Sequence, residues 1–288
     1  MIQSNNNMSV LPWYTDIEQQ NHRKSYAYGA IYPLYTPANT LLPFQIIRET
    51  RDNAITRVRI YYENGDLYRD ITAEMFESGL EIVRFAQKGY DVIVYPGALP
   101  MAINQNNGQF YAELTDGVQT WFSEVYTVVQ DVTGYLRIEW RDVDNMVCDA
   151  GTIVYKNPTF VNRLYLCTEL GKPEYQFEEE GEKRDGYFFV EKQISEKVYK
   201  CTILAPEYLC DVMRFIRMAD FVTVRDKYGR VYNCDTFLIT PKWQTQGDLA
   251  SVEIEFETDT VVKKIGRGYL EVNIGDFNND FNNDFNND

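Results

Sequence analysis

The chain has 288 residues, enough for one large domain or two ordinary ones, and its 44% hydrophobic and 15% aromatic content supplies material for packed cores. A formal charge of -15 argues against wrapping nucleic acid, because phosphate binding needs clustered Lys and Arg. Five widely spaced cysteines (Cys148, Cys167, Cys201, Cys210, Cys234) contain no Cys-x-x-Cys pair, so zinc and disulfide frameworks are both poor readings and buried free thiols are expected.

The 22 Tyr and 16 Phe favour strands, since aromatic side chains fit a pleated, half-buried surface. Residues 1–40 read as an extended arm, because Pro12, Pro33, Pro37 and the run Asn5-Asn6-Asn7 break every helical or strand period. The arm carries too many aromatics for a solvated linker: Trp13, Tyr14, Tyr26, Tyr28, Tyr32 and Tyr35. It either packs back on its own domain or lies across a neighbouring subunit, and Trp13 and Tyr14 are candidate interaction residues on the second reading. Met1 to Asn7 has neither a basic nor an apolar signal region, and no apolar run reaches membrane-spanning length, so neither export nor membrane insertion is expected.

Residues 41–132 predict a β-sandwich of immunoglobulin-like size. Val58–Tyr62 and Leu67–Ile71 flank Asn64-Gly65, a strong hairpin signal because both residues tolerate positive φ. Asp91–Tyr95 is a further strand, and Gln109–Leu114 meets Thr120–Val129 across Thr115-Asp116-Gly117. No cysteine pair marks a true immunoglobulin domain.

Residues 133–268 predict a second β-rich domain. Tyr135–Trp140, Thr152–Tyr155 and Arg163–Leu166 read as strands, and Glu178–Gly186 reads as a polar loop between strands. Residues 206–219 predict one short α-helix: Leu209, Val212, Met213 and Ile216 share a face, and Pro206 suits the first turn. A hairpin follows through Asp226–Gly229, and a last strand pair surrounds Lys242-Trp243 and Ala250–Phe256. Residues 269–288 form a low-complexity acidic tail in which Phe-Asn-Asn-Asp repeats from Phe277, Phe281 and Phe285. Its composition predicts disorder, with the three Phe as candidate docking residues for a partner groove.

The chemistry-bearing motifs are sparse. The single His22 lies in the irregular arm, without the third group that a Ser-His-Asp or Cys-His mechanism requires. Neither a dinucleotide fingerprint nor a phosphate loop occurs, so no nucleotide cofactor is indicated. Glu139, Asp142, Asp144 and Asp149 cluster near a strand end, as a glycoside hydrolase pair would need to, but with 43 acidic residues such clusters arise by chance. The same cluster fails the calcium-loop pattern, because Met146 and Val147 fall where a ligand and Gly are required. The expectation is therefore no enzyme, no catalytic residue, no metal and no cofactor. A carbohydrate-binding or adhesive module, stacking exposed Tyr and Trp on sugar rings, is the alternative.

Several stretches resemble tail-associated virion structural proteins of phages and prophages of gut Bacteroidetes. They are Lys172-Pro173-Glu174-Tyr175, Arg184–Phe189, Glu196–Tyr199, Ala205–Asp211 and Ala219–Val222, then Pro241-Lys242-Trp243, Gln246–Ala250 and Glu255–Asp259. The resemblance covers about a hundred residues of the C-terminal half and carries no catalytic motif. It implies a virion component of the tail, baseplate or neck, made in the host bacterial cytoplasm. Its partners would be further copies of itself and other virion structural proteins, without sequence-specific nucleic-acid binding. The acidity leaves one role near DNA, that of a passive conduit wall from which the nucleic acid is repelled.

Overall fold

A computed structural model describes residues 12–20, 34–38, 40–85, 89–97, 108–141, 146–147, 153–154, 161–243 and 249–264. In chain order the first half contains β1 (Trp13–Tyr14), a 3-10 turn (Ile17–Gln19), β2 (Leu34–Pro37), β3 (Phe44–Glu49), β4 (Arg57–Tyr62) and β5 (Leu67–Asp70). Then come α1 (Thr72–Glu77), β6 (Glu81–Phe85), β7 (Tyr90–Tyr95), β8 (Gln109–Thr115), β9 (Thr120–Ser123) and β10 (Tyr126–Val129). The second half runs β11 (Leu136–Arg141), β12 (Met146–Val147), β13 (Ile153–Val154), β14 (Asn162–Leu166), β15 (Glu174–Arg184) and β16 (Tyr187–Pro206). It closes with α2 (Glu207–Ile216), β17 (Phe221–Arg225), β18 (Val231–Cys234), β19 (Thr236–Trp243) and β20 (Leu249–Lys264). The protein is mainly β, as its composition predicts.

Two sheets face each other in the first half. One has the order β1-β9-β8-β10-β2, with β4 on the other side of β8 and β5 beyond it; the other is β3-β7-β6. Phe44 links them, its ring 4.5 Å from Trp13 and 5.3 Å from Tyr95. The Asn64-Gly65 turn joins β4 to β5 as expected, with Gly65 at φ 91° and Gly65 N–H donating to Tyr62 O.

The described pieces of the 1–40 stretch are strands of this same sandwich. β1 pairs antiparallel with β9, and β2 pairs in parallel with β10 along its whole length. The physical reason is apolar content: Trp13 and Leu34 are almost fully buried. Pro37, which argued against a strand, ends β2 at the sheet edge, where its missing N–H costs no ladder bond.

The second half holds β14-β11-β17-β18, a small β12-β13 ladder, and β15-β16-β20-β19. Helix α2 lies over β16, β19 and β20 and buries Leu209, Val212, Met213 and Ile216, the face that the periodicity picks out. Burying such a stripe is what holds a ten-residue helix, too short to persist alone in water. The two halves share one core: β2 runs against β14, and Tyr35 and Tyr135 meet at 5.1 Å.

One local reading is corrected. Glu178–Gly186 is not a loop; β15 continues to Arg184, and only Asp185-Gly186 forms the turn into β16. Both turn residues have positive φ, 52° and 84°, the geometry of a two-residue hairpin. The acidic run stays in a strand because this part of the sheet stands in solvent, where neither face excludes charge.

Candidate interaction surface

Two groupings of polar and aromatic side chains stand out. The first is sealed inside the sandwich. Arg48 on β3 donates to Asp116 Oδ2 at 2.5 Å and approaches Asp91 Oδ2 at 3.6 Å, with all three side chains at most 1% exposed. Arg51 adds a 3.1 Å contact to Asp116, and Arg84 a 3.2 Å contact to Asp91. Burial alone would raise the Asp116 carboxyl. The backbone N–H groups of Gln119 and Val118, with Arg51 and Arg48, outweigh that and hold it below the usual carboxylate range. With the carboxylates enclosed and each facing arginine, the cluster locks the β8–β9 turn to β3 and β7.

The second grouping is open. β16 is 20 residues long, about 60 Å of extended chain. Its second half lies on the core, with Cys201 and Ala205 buried beside Phe256, Ile254 and Val252 of β20. Its first half, paired with β15 and the end of β20, projects beyond the helix. Cross-strand partners share a face, so Tyr175 and Phe177 of β15, Lys197 and Ser195 of β16, and Thr258 and Val261 of β20 prolong the face that nearer the core carries Tyr199 and Phe256. Tyr199 and Phe256 stack at 5.4 Å, while Phe177 is 74% exposed and Tyr175 and Val261 are each 62% exposed. The apolar stripe therefore runs out of the core into solvent. Tyr187, Phe188 and Phe189 add three exposed aromatics beside the turn.

Cross-strand ion pairs run through the same sheet: Lys197–Asp259 at 2.8 Å beside Tyr175, and on the other face Lys192–Glu180 at 3.0 Å and Lys200 with Glu174 at 3.1 Å and Glu255 at 3.3 Å. Hydrogen bonds to Asp259 and to Glu174 raise the Lys197 and Lys200 ammonium groups. Partial burial, and the neighbouring Glu257, Glu178 and Asp235, raise the Glu196 carboxyl. Gly181 sits opposite a bulge in β16 at Glu191, where a Cβ would lie 2.0 Å from Phe189 O, so only glycine lets the two backbones approach.

The residues expected to meet partners fall elsewhere. Trp13 is 1% exposed and belongs to the sandwich core, so it presents no surface to a neighbour. The Tyr14 hydroxyl donates to Glu124 Oε2 at 3.3 Å, and burial, then the Glu124 charge, push its phenol upward. Phe277, Phe281 and Phe285 lie outside the described residues, as do His22, Cys148, Asp142, Asp144 and Asp149. Glu139 faces Arg163 at 2.8 Å and also Arg137. Of the thiols, Cys201 and Cys210 are buried and Cys234 half-buried, whereas Cys167 is exposed, which corrects the expectation for that residue. Burial pushes Cys201 and Cys234 up to about 12 and Cys210 up to about 11, leaving them poor nucleophiles. An apolar cavity of about 280 Å3 lies between β2, β14 and the end of β16, lined by Leu34, Tyr35, Leu166, Ile203, Leu204 and Leu209.

Among the described residues, no group of three or more His, Cys, Asp or Glu is placed to hold a metal ion, and no helix is long and apolar enough to cross a membrane. No protein-family model matches the sequence, and no curated protein matches it significantly.

Sequence reasoning passed over Tyr175, Phe177, Val261 and Tyr187–Phe189 as surface residues. The signal that could have found them is Asp185-Gly186, the same kind of hairpin dipeptide as Asn64-Gly65.

Proposed function

We propose that this chain is a structural subunit of a bacteriophage virion, assembling with copies of itself in the tail, baseplate or neck. The observation that carries the assembling half of this reading is the projecting sheet, which leaves Phe177, Tyr175 and Val261 on one face, and Tyr187–Phe189 at its tip, in water when the chain is alone. Placement in a virion rests on the resemblance in the C-terminal half. The same projecting sheet supports it, since the resembling stretches Lys172–Tyr175, Arg184–Phe189 and Glu255–Asp259 lie on or immediately beside it.

The carbohydrate-binding alternative calls for a line of exposed Tyr and Trp on a sandwich face. In the first half, the large hydrophobics exposed among the described residues are Leu67, Phe76 and Val118, one ring and no line of them. The other exposed aromatics fall on the hairpin, where they alternate with charge, and at Phe221, Tyr228 and Trp243, on three separate segments.

Mass photometry and sedimentation velocity of the purified full chain test the proposal. The expected result is a discrete particle of several subunits in equilibrium with the 33.7 kDa chain. A chain that stays monomeric up to the highest soluble concentration contradicts it.

A further inference from the structure

We propose that copies of the chain join head to tail, β15 of one copy adding in parallel to the open end of β20 in the next. This rests on the assembling role proposed above and names the surfaces that carry it.

The projecting sheet has two free edges. Among the described residues, β15 has no strand neighbour on its outer side along its eleven residues. On the opposite side, β19 covers β20 only from Ala250 to Glu257. Asp235 marks the stop, its carboxylate accepting from Thr260 Oγ1 at 2.7 Å and from Thr260 N–H at 3.3 Å. Beyond it, Val261–Lys264 has a strand neighbour only in β16 among the described residues. An unpaired backbone edge of this kind is a template for another strand.

The two edges have opposite character. β15 carries Glu178, Glu179, Glu180 and Glu182, whereas the open end of β20 reads Val261-Val262-Lys263-Lys264. Lys263 and Lys264 are exposed and have no ion-pair partner among the described residues. Two β15 edges brought together would oppose like charges, which disfavours symmetric pairing and leaves β20 as the complementary edge.

Topology and register agree on one arrangement. β15 and β20 are both antiparallel to β16, hence parallel to each other. Copies related by rotation about an axis along the strands therefore present β15 parallel to the neighbour's β20, as a cyclic head-to-tail contact requires. Setting Phe177 beside Val261 places Glu179 beside Lys263 and Glu180 beside Lys264. Phe177, Glu179, Val261 and Lys263 all belong to the same sheet face, so apolar meets apolar and acid meets base without a face reversal. In that register, because β20 carries one extra residue between Thr258 and Val261, Tyr175 falls beside Thr258 and Glu174 reaches the level of Glu257, where β19 begins. The free stretch of edge that the incoming strand meets is therefore Val261–Lys264.

Charge reversal tests this in the full chain. One variant carries Glu179→Lys and Glu180→Lys, the other Lys263→Glu and Lys264→Glu, and thermal melting confirms that each folds. Each alone places like charges across the joint and is expected to self-associate at least about ten-fold more weakly than the parent. In an equimolar mixture, alternating copies restore opposite charges at their joints, and particles larger than either variant forms alone are expected in sedimentation velocity. Variants that assemble as the parent does, or a mixture no larger than its components, overturn the pairing while leaving the assembling role intact. A parent chain that never assembles overturns both.

Discussion

Replacing Arg48 with Ala is expected to cost about 3–5 kcal/mol of unfolding free energy, because it leaves two enclosed carboxylates short of a counter-charge. Asp91 and Asp116 are at most 1% exposed, so water cannot take over for the guanidinium that reaches both and also donates to Asn53 O at 2.6 Å. Arg48→Lys recovers little of the loss, since one ammonium cannot reproduce a forked contact to two carboxylates. Asp116→Asn is milder, because an amide oxygen can still accept from Val118 and Gln119 N–H, which Asp116 Oδ1 now bonds at 3.0 and 2.8 Å. Urea denaturation of the three variants checks the order.

The same cluster sets an acid limit. The Asp116 carboxyl is held below its unfolded value, so its contribution is complete above that value, about pH 4, and is lost as the pH falls through the folded pKa. Asp116→Asn should flatten that part of the stability profile while leaving its neutral-pH slope unchanged.

Trp13→Ala is the second large effect, again about 3–5 kcal/mol, the usual cost of emptying a buried indole site. The ring is 1% exposed and 4.5 Å from Phe44, at the joint between the two sheets of the sandwich. β1 is only two residues long, so its pairing with β9 offers few backbone bonds to hold it once the indole is gone. The loss should appear in denaturant unfolding at concentrations where the chain is dissociated, and Trp13→Phe should recover part of it. A surface role for Trp13 would instead leave unfolding unchanged and weaken only association.

Trp13 also shows where sequence reasoning stops. Its irregular surroundings, with Pro12 before it, hide a strand because the partner, β9, lies more than a hundred residues away. Long-range pairing leaves no local period to read. α1 escaped for a related reason: Thr72–Glu77 is six residues, less than two turns, and Thr72 is tied to β4 by its hydroxyl at 2.9 Å from Val58 N. By contrast α2 was legible from Leu209, Val212, Met213 and Ile216, and the β4–β5 hairpin from Asn64-Gly65, since local geometry dictates both. The candidate surface was half legible. Acidic composition disguised Glu178–Arg184 as a loop, and the exposure of Phe177 depends on how far the hairpin outruns the core, which no window of sequence records.

The projecting sheet is the proposed meeting place of copies of the chain. Backbone amide exchange, compared between concentrated and dilute protein, tests it most directly. The predicted result is slowed exchange in Glu174–Arg184 and Val261–Lys264 on assembly, with α2 and β8 unchanged. Equal exchange of both edges in the assembled and dissociated states, with new protection elsewhere, would contradict it.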